Sequence, residues 1–437
     1  MLRRKIEKRL IEYYKNSNSK ILLVDGARQV GKTYIIEHTA KEYFKNYCYI
    51  NLKEDSLGNK DFDSIKDSES FYVYLGIHFP NLGDINDTII FLDEIQVYPH
   101  LISLLKPLFK ENKYRYIVSG SLLVITMRHI FIPMGSVQQV SMYPLDFEEF
   151  LWANNVSEDV IAYLKKCFEK QEVINEAIHN RIMKYFKYYL IAGGLPDAVN
   201  YFIDDFKIIK CKESQAEIYS FYKEDASQYD EDNKLKIRRI YELMASYMEN
   251  KVKRIMFSNI DKDSRSTMSA YRDEFDYLIY SGIATKAFVA SNPKFPLIEG
   301  TCKNLIKLYY NDVGVLTYIL YKNNVSPLLK DEPVVNLGSV YETFVANELK
   351  AHGHDLYYFD SKKIGEVDFL INDYNSLNVL PLEIKSGKGN YTFRALPKLI
   401  DPSGNYKLPK GYIFSNKSLI EEKGNIYYFP IYLVMFL

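Results

Sequence analysis

A glycine-rich loop that ends in a lysine and a threonine constrains this chain more than any other feature. Residues 26–33 read G-A-R-Q-V-G-K-T and fit the pattern G-x-x-x-x-G-K-T in full. The loop follows an apolar run, KILLVD, that predicts a β-strand, and it precedes a helical pattern. Glycines allow such a backbone to curl so that N–H groups and a helix N-terminus face an anion. The sequence therefore predicts a phosphate-binding loop between a strand and a helix.

The end of this loop carries the side chains that a nucleoside triphosphate with Mg²⁺ requires. We expect Lys32 to contact the β- and γ-phosphates and Thr33 to supply its hydroxyl to the magnesium ion. The alternative is a chance glycine turn, which the adjoining strand and helix disfavour. The expected phosphate-binding residues are Gly26, Ala27, Arg28, Gln29, Val30, Gly31, Lys32 and Thr33.

Two later strand patterns end in polar side chains that suit the same site. The apolar run 89–92 delivers Asp93 and Glu94 to a strand end, where open α/β sheets bind their ligands. Asp93 suits the magnesium side, and Glu94 suits the orientation or deprotonation of the attacking water. The run 116–118 ends at Ser119, which we expect to sense the γ-phosphate. The alternatives are an exposed acidic turn and an ordinary Ser-Gly turn.

Composition restricts the class of protein. The 437 residues exceed the size at which one core stops growing, so two to four domains are expected. Lys+Arg and Asp+Glu both number 56, which excludes a whole-molecule field that attracts nucleic acid or anionic membrane. Four scattered cysteines have neither metal-ligand spacing nor the density of a disulfide framework. With a charged N-terminus and an apolar C-terminal run too short to span a bilayer, we expect a cytoplasmic protein without membrane attachment.

Four consecutive segments are predicted along the chain. Residues 1–150 alternate short apolar runs with helical patterns, which predicts a parallel sheet flanked by helices. Residues 151–235 read mostly as helix. Residues 236–325 have the order helix, helix, β-ribbon that is typical of a winged helix. Arg265, Arg272 and Lys286 are its DNA-facing candidates, and protein contacts are the alternative use of such a domain. Residues 326–437 read as an independent α/β domain.

Taken together, the motifs resemble a family of bacterial and archaeal ATPases. They are GARQVGKT, FLDEIQ, VSGSLL, YPLDFEEFL, GGLPDAV, EVDFLI and LEIKSGK, and they span nearly the whole chain. In that family an AAA-type P-loop ATPase domain is joined to a C-terminal domain of unknown function. The resemblance implies an additional-strand P-loop fold, in which the strand ending at Ser119 lies between the phosphate-loop strand and the Asp-Glu strand. It also implies adenine as the base, since no guanine-reading N-K-x-D follows Asp93 and Glu94.

One position departs from the family pattern. Members usually carry a Gly-Arg pair before the YPL segment, where this chain has Gly135 and Ser136. An arginine that acts in trans or senses nucleotide is therefore absent there, and such a loss slows hydrolysis by roughly 10³- to 10⁵-fold. Arg128 could substitute, although a solvated helix residue is the preferred interpretation.

The C-terminal segment contains carboxylates and a lysine in the spacing D-x₁₄-E-x-K. Asp368 lies on one strand pattern, and Glu383 and Lys385 share one face of the next. With Glu342 from the preceding helix, they could hold a metal and a water beside a phosphodiester. This order is similar to the restriction-endonuclease-like nuclease core, and a domain of that fold that only binds is the alternative to an active nuclease. Basic and aromatic residues that follow suit a phosphate backbone or a solvated face: Lys388, Tyr391, Phe393, Arg394, Lys398, Lys407 and Lys410.

The sequence thus predicts an ATPase with ATP and Mg²⁺ as cofactors. Its work would be directed at DNA, with nuclease action by the C-terminal domain as an added possibility. The alternative is a module that hydrolyses ATP slowly or not at all and whose occupancy controls binding of a protein partner. A homo-oligomer remains open.

Overall fold

A computed structural model describes most of the chain. The described residues are 2–16, 20–121, 133, 135–229, 234–249, 271–298, 306–330, 337–386 and 393–437, with side chains left out at 225–229 and 234. Four residues of the sequence predictions lie outside these ranges: Arg128, Arg265, Lys388 and Tyr391. The chain divides into two compact units, one mainly Arg3–Tyr143 and the other mainly Pro144–Ile279 with Ile283–Leu437.

A five-stranded parallel sheet organises the first unit. Its strands are β1 (Ile21–Asp25), β2 (Asn46–Asn51), β3 (Thr88–Asp93), β4 (Arg115–Gly120) and β5 (Val137–Ser141). They lie in the order β2-β3-β4-β1-β5, and every neighbouring pair is parallel. The predicted parallel sheet is therefore confirmed. Strand β4 lies between β1 and β3, as the family resemblance implied.

Helices connect these strands because apolar residues recur at helical spacing between polar caps. The helix Ser68–His78 begins after Asp67, whose side chain accepts a hydrogen bond from the backbone of Ser70 at 2.8 Å. All six residues of β3 are buried, as expected for a central strand covered on both faces. The helices are Ile6–Lys15, Lys32–Tyr43, Leu52–Leu57, Ser68–His78 and His100–Glu111, with 3₁₀ turns at Asp61–Asp63 and Ile95–Val97.

The described residues between Pro144 and Tyr280 are largely helical. The first of these helices starts with a capping box, in which Asp146 and Glu149 bind each other's backbone N–H groups at 2.9 and 3.2 Å. The helices up to that point are Phe147–Ala153, Glu158–Lys170, Glu176–Ala192, Pro196–Ile203, Ile208–Tyr229, Lys234–Glu249 and Arg272–Tyr280. Later helices are Val313–Tyr321, Ser326–Lys330, Gly338–Ala351 and Ala395–Ile400.

An eight-stranded mixed sheet organises the second unit. Its strands are β6 (Ala284–Val289), β7 (Ile306–Tyr310), β8 (Leu356–Ser361), β9 (Gly365–Asp373), β10 (Asn378–Lys385), β11 (Gly411–Ser415), β12 (Glu421–Lys423) and β13 (Ile426–Pro430). Their order is β12-β13-β11-β10-β9-β8-β6-β7. The ribbon β6-β7, predicted as part of a winged helix, is joined to the C-terminal strands because β6 pairs with β8 in parallel. This pairing satisfies backbone groups that a free ribbon would leave at its edge.

The apolar C-terminal run, which the sequence shows to be too short to span a bilayer, forms a strand followed by a 3₁₀ turn. Strand β13 ends at Pro430, and Ile431–Phe436 form a buried 3₁₀ turn. Proline lacks the N–H that would continue the strand ladder. In the described ranges, no helix has the length and apolar character that crossing a bilayer requires.

Candidate nucleotide-binding site

The predicted phosphate-binding loop joins β1 to the helix Lys32–Tyr43 in a conformation that requires glycine. Gly26 has φ +143° and Gly31 has φ +93°. A Cβ atom on Gly26 would lie 2.2 Å from the carbonyl oxygen of Met142, so the space admits no side chain. The loop therefore presents its backbone at the N-terminus of a helix, an arrangement that favours anions.

A buried arginine near the N-terminus binds the backbone of the phosphate-binding loop. The guanidinium of Arg4 donates a hydrogen bond of 3.0 Å to the carbonyl of Val30 and one of 2.7 Å to the carbonyl of Tyr143. Arg4 is 7% exposed. No pattern in the sequence indicates this role, because its partners are 26 and 139 residues away in the chain.

Lys32 lies folded over the loop that precedes it. Its ammonium donates hydrogen bonds to the carbonyls of Gly26 at 2.9 Å and Ala27 at 2.8 Å. Burial lowers the pKa of Lys32, while the carboxylates of Glu94 and Asp93 act against this shift. The cation is thus held in a poorly hydrated position, where it interacts strongly with an anion.

Asp93, at the end of β3, gathers three hydroxyl groups. Its Oδ2 accepts hydrogen bonds from the hydroxyls of Thr33 at 2.8 Å and Tyr49 at 3.1 Å, and its Oδ1 accepts one from the hydroxyl of Ser119. Asp93 is 4% exposed. The three predicted residues Thr33, Asp93 and Ser119 therefore meet at one sheet edge. Tyr49 was missed, because nothing in its own strand indicates that Asp93, 44 residues later, lies beside it.

Glu94 follows in a left-handed conformation with φ +58°. Its Oε2 accepts hydrogen bonds from the side-chain amide of Gln96 and, at 3.3 Å, from the hydroxyl of Ser121. The hydroxyl of Ser121 in turn accepts a hydrogen bond of 3.1 Å from Nε of Arg28, a residue of the phosphate-binding loop. A short polar chain therefore joins the loop to the second carboxylate. The motif SGS identified Ser119 but not this use of Ser121.

The chemistry of these donors fits a magnesium nucleotide. The hydroxyl of Thr33 and the carboxylate of Asp93 are hard oxygen ligands of the kind that Mg²⁺ takes beside phosphates. Lys32 and the loop backbone offer positive charge and N–H donors to phosphate oxygens. Ser136, where the family pattern has arginine, is 5% exposed and its carbonyl accepts 2.9 Å from the backbone of Ile21.

The predicted C-terminal constellation is also brought together. In the antiparallel pair β9-β10, Phe369 faces Leu382, and Oδ2 of Asp368 accepts 2.7 Å from the backbone of Ile384. Lys385 donates a hydrogen bond to Oε1 of Glu383. Asp368, Glu383 and Lys385 therefore lie side by side on neighbouring strands.

The electrostatics of this constellation include Glu342 from the helix Gly338–Ala351. Burial raises the pKa of Glu383, and the carboxylate of Asp368 raises it further, while Lys385 opposes the shift. Burial lowers the pKa of Lys385, but Glu383, Asp368 and Glu342 outweigh it, so that the net pKa is raised. Lys307 on β7, which sequence reasoning did not assign, forms an ion pair with Glu366 beside the same carboxylates. Among the described residues, no three His, Cys, Asp or Glu side chains form a group that could hold a metal ion.

The remaining basic candidates are distributed over the second unit. Arg272 pairs with Asp276 at 4.0 Å on its own helix, and Lys286 lies 4.3 Å from the ring centre of Phe288. Lys410 lies 5.2 Å from the ring centre of Tyr412. The ammonium groups of both lysines thus make cation–π contacts with neighbouring aromatic rings.

Comparison with known families accounts for most of the chain. Residues 18–151 match the model described as an AAA domain. Residues 183–326 and 337–434 match two models described as domains of unknown function, DUF8612 and DUF4143. We found no match among curated proteins.

Several solved structures are similar at low sequence identity. A Walker-type ATPase of Pyrococcus abyssi is 13% identical, with 73% of this chain and 96% of that chain covered and a TM-score of 0.44. The Aeropyrum pernix ORC1 protein, solved in complex with DNA, is 13% identical, with 75% and 94% covered and a TM-score of 0.32. Cdc6p from Pyrobaculum aerophilum is 11% identical, with 75% and 94% covered and a TM-score of 0.26. From the family match and the sheet order, the chain contains an AAA-type P-loop NTPase domain joined to two domains of unknown function.

Proposed function

We propose that the first unit binds ATP with Mg²⁺ and hydrolyses it. Residues 26–33 would hold the phosphates, with Lys32 on the β- and γ-phosphates and Thr33 with Asp93 on the magnesium side. Glu94 would orient or deprotonate the attacking water, and Ser119 would sense the γ-phosphate. When bound, Mg²⁺ would offset the charge that develops as the terminal phosphoryl group is transferred.

The observation that carries this proposal is the meeting of Thr33 and Asp93. Their 2.8 Å contact joins the end of the phosphate loop to the end of β3, two elements 60 residues apart. A hydroxyl and a carboxylate at this position are what a magnesium nucleotide needs, whereas a merely structural glycine turn needs neither. Glu94 follows directly and adds a second carboxylate for water activation.

A second candidate function is an ATP-controlled binding module with slow or no turnover. It is supported by the hydrogen bonds that Glu94 makes to Gln96 and Ser121, which occupy the proposed base. It is further supported by Ser136, where the resembled family has an arginine. In this case ATP occupancy would change the binding of a protein partner or the assembly of a homo-oligomer.

Magnesium-dependent phosphate release from ATP tests both candidates. We would compare the wild type with Lys32→Ala and Glu94→Gln, each with and without DNA. Lys41→Ala is the control, because Lys41 lies exposed near the other end of the helix Lys32–Tyr43, where it pairs with Glu37. Release that is lost in Lys32→Ala and Glu94→Gln but kept in Lys41→Ala would support the enzyme. Tight ATP binding without phosphate release in any condition would favour the switch.

We further propose that the activity serves a nucleic-acid-associated process. Stimulation of phosphate release by DNA would support this, and equal rates with and without DNA would contradict it. Nuclease action by Asp368, Glu383, Lys385 and Glu342 is the finer form of this proposal. It is supported by the hydrogen bond that joins Asp368 on β9 to the backbone of Ile384 on β10, and by the hydrogen bond that Lys385 donates to Glu383 on β10. Metal-dependent cleavage that disappears in Lys385→Ala would establish it.

A further inference from the structure

A groove in the second unit has the chemistry of a nucleic-acid surface, although none of its residues belongs to a motif. It has a volume of about 550 Å³, within the range of ligand sites in proteins. Nine residues line it, all in the described part of the chain: Ala153, Asn154, Asn155, Arg181, Lys184, Tyr185, Tyr188, Ile203 and Phe206. Two of them are cations, three are aromatic and none is acidic.

One face of the helix Glu176–Ala192 supplies two of the rings and both cations. Arg181, Lys184, Tyr185 and Tyr188 follow the spacing i, i+3, i+4, i+7, which places them in one stripe. Arg181 and Lys184 are exposed, whereas the intervening apolar positions of the helix are buried. The two cations are therefore outside the core packing, while Tyr185 and Tyr188 are half-buried beside them.

The cations and rings of the stripe are arranged in pairs. The guanidinium of Arg181 lies 5.1 Å from the ring centre of Tyr185 and donates 3.2 Å to its hydroxyl. The ammonium of Lys184 lies 5.6 Å from the ring centre of Tyr188. These contacts hold positive charge next to flat apolar faces, so that an anion and a ring of the same ligand can be bound together.

The third aromatic residue of the groove is exposed in a costly conformation. Phe206 is 53% exposed and has φ +51°, a left-handed value that is unusual for a bulky residue. Its ring lies 5.4 Å from that of Tyr188 and 5.1 Å from that of Phe202, which fixes its position. Water-exposed apolar surface held by a strained backbone is typical of a binding site.

We propose that this groove binds single-stranded nucleic acid. The bases would stack on Tyr185, Tyr188 and Phe206, and Arg181 and Lys184 would neutralise the phosphates between them. An acidic peptide would use the two cations but would leave the three rings without a stacking partner. The inference goes beyond the proposed ATPase, because the groove lies entirely outside the nucleotide site and its binding needs no ATP.

Fluorescence anisotropy of the full chain with a labelled oligothymidylate tests the groove in the absence of nucleotide. In Arg181→Gln/Lys184→Gln, we expect weaker binding and a slope of log Kd against log salt that falls by about 0.7 for each lost phosphate contact. In Tyr185→Leu, binding should weaken about 5- to 100-fold with an unchanged slope, because a stacking ring is lost without a charge. Lys170→Gln, at an exposed lysine of the helix Glu158–Lys170 outside the groove, should match the wild type.

The proposal is overturned if the wild type binds no oligothymidylate. It also fails if Lys170→Gln loses as much affinity as the groove variants, since binding would then depend on total charge. Competition by polyglutamate with full affinity retained in Tyr185→Leu would identify an acidic protein partner instead. Thermal unfolding of each variant confirms that it is folded, and failure of ATP hydrolysis in Lys32→Ala does not alter any of these outcomes.

Discussion

Tyr49 donates a 3.1 Å hydrogen bond to Oδ2 of Asp93, the same oxygen that accepts a hydrogen bond from Thr33. The tyrosine comes from β2, at the edge of the sheet, whereas Asp93 ends the neighbouring strand β3. A carboxylate with two hydroxyl donors on one oxygen has little freedom to rotate. Tyr49 therefore acts as a positioning residue for the proposed magnesium-side carboxylate.

Removal of the Tyr49 hydroxyl should weaken the apparent affinity for Mg²⁺ without unfolding the protein. In Tyr49→Phe, we expect the Mg²⁺ concentration for half-maximal phosphate release to rise about 3- to 10-fold, because a hydrogen bond to a charged group is lost at a partly exposed site. Tyr47→Phe on the same strand is the matched control, since the Tyr47 hydroxyl is buried and has no hydrogen-bond partner within the described residues. Equal magnesium dependence of Tyr49→Phe and wild type would refute the positioning role.

Removal of a hydrogen bond to the Glu94 carboxylate should increase the rate of phosphate release. In Gln96→Leu, Glu94 loses the amide donor that holds its Oε2, so the carboxylate is freer to approach the attacking water. We expect steady-state phosphate release to rise by about 10-fold, which corresponds to the lower end of the free energy of one hydrogen bond to a charged group, about 1.5 kcal/mol. The substitution should be tolerated because the amide oxygen of Gln96 is buried and lacks a partner in the described structure.

The double variant Gln96→Leu/Glu94→Gln is the control for this prediction. It should have no activity, because the gain must act through the Glu94 carboxylate. Slower release in Gln96→Leu would mean that the amide orients Glu94 productively, and the binding-module candidate would lose its main support.

The first sheet could be predicted from the sequence because its signals are local. The run TIIFLD predicts β3 within its own six residues, and G-x-x-x-x-G-K-T carries both the turn chemistry and the ligand chemistry in one segment. Contacts between distant segments leave no such pattern. Tyr49 and Asp93 are 44 residues apart, and the amino-acid sequence of β2 does not indicate which strand lies beside it.

The second unit shows the same limit at the level of whole strands. The alternating run that forms β6 predicted a strand correctly, but its partner could not be inferred. A ribbon can form a separate wing or add to a larger sheet with the same local sequence, since both satisfy its backbone. The choice of β8 as partner depends on the packing of the entire unit.

A buried lysine in the second unit predicts a pH effect on stability. The ammonium of Lys212 donates hydrogen bonds to the carbonyl of Ile191, to Gln215 and to Thr317 at 2.9 to 3.1 Å, and the residue is 1% exposed. Burial lowers its pKa from 10.5 to about 8, against the opposing effects of Cys211 and Asp312. Between pH 8 and 10.5 the unfolded chain therefore binds a proton that the folded chain has released.

The free energy of unfolding should consequently rise with pH in this window, by at most about 1.4 kcal/mol per pH unit. The measurement is urea unfolding of wild type and Lys212→Met at several pH values, because their difference cancels the other titrating groups. We expect the wild type to gain stability relative to Lys212→Met from pH 8 to 10.5. A pH-independent difference would contradict a lowered pKa of Lys212, and the exposed Lys170→Met provides the control.

The conformation of Gly26 predicts a loss that is specific to the nucleotide site. In Gly26→Ala, the new Cβ would meet the carbonyl oxygen of Met142 at 2.2 Å, at a φ of +143° that L-residues rarely adopt. The loop must shift, and displacement of its N–H donors should weaken ATP binding at least about 10-fold while the free energy of unfolding falls by about 1 to 3 kcal/mol. Gly76→Ala is the control in the same unit, since Gly76 lies within the helix Ser68–His78 and, among the described residues, its added Cβ would meet no atom within 4 Å beyond the adjoining helix backbone. That variant should keep its ATP affinity and gain up to about 1 kcal/mol of stability from reduced chain entropy.

Isothermal titration with a non-hydrolysable ATP analogue measures the affinities of both variants. Wild-type affinity in Gly26→Ala would show that the phosphates do not contact this turn.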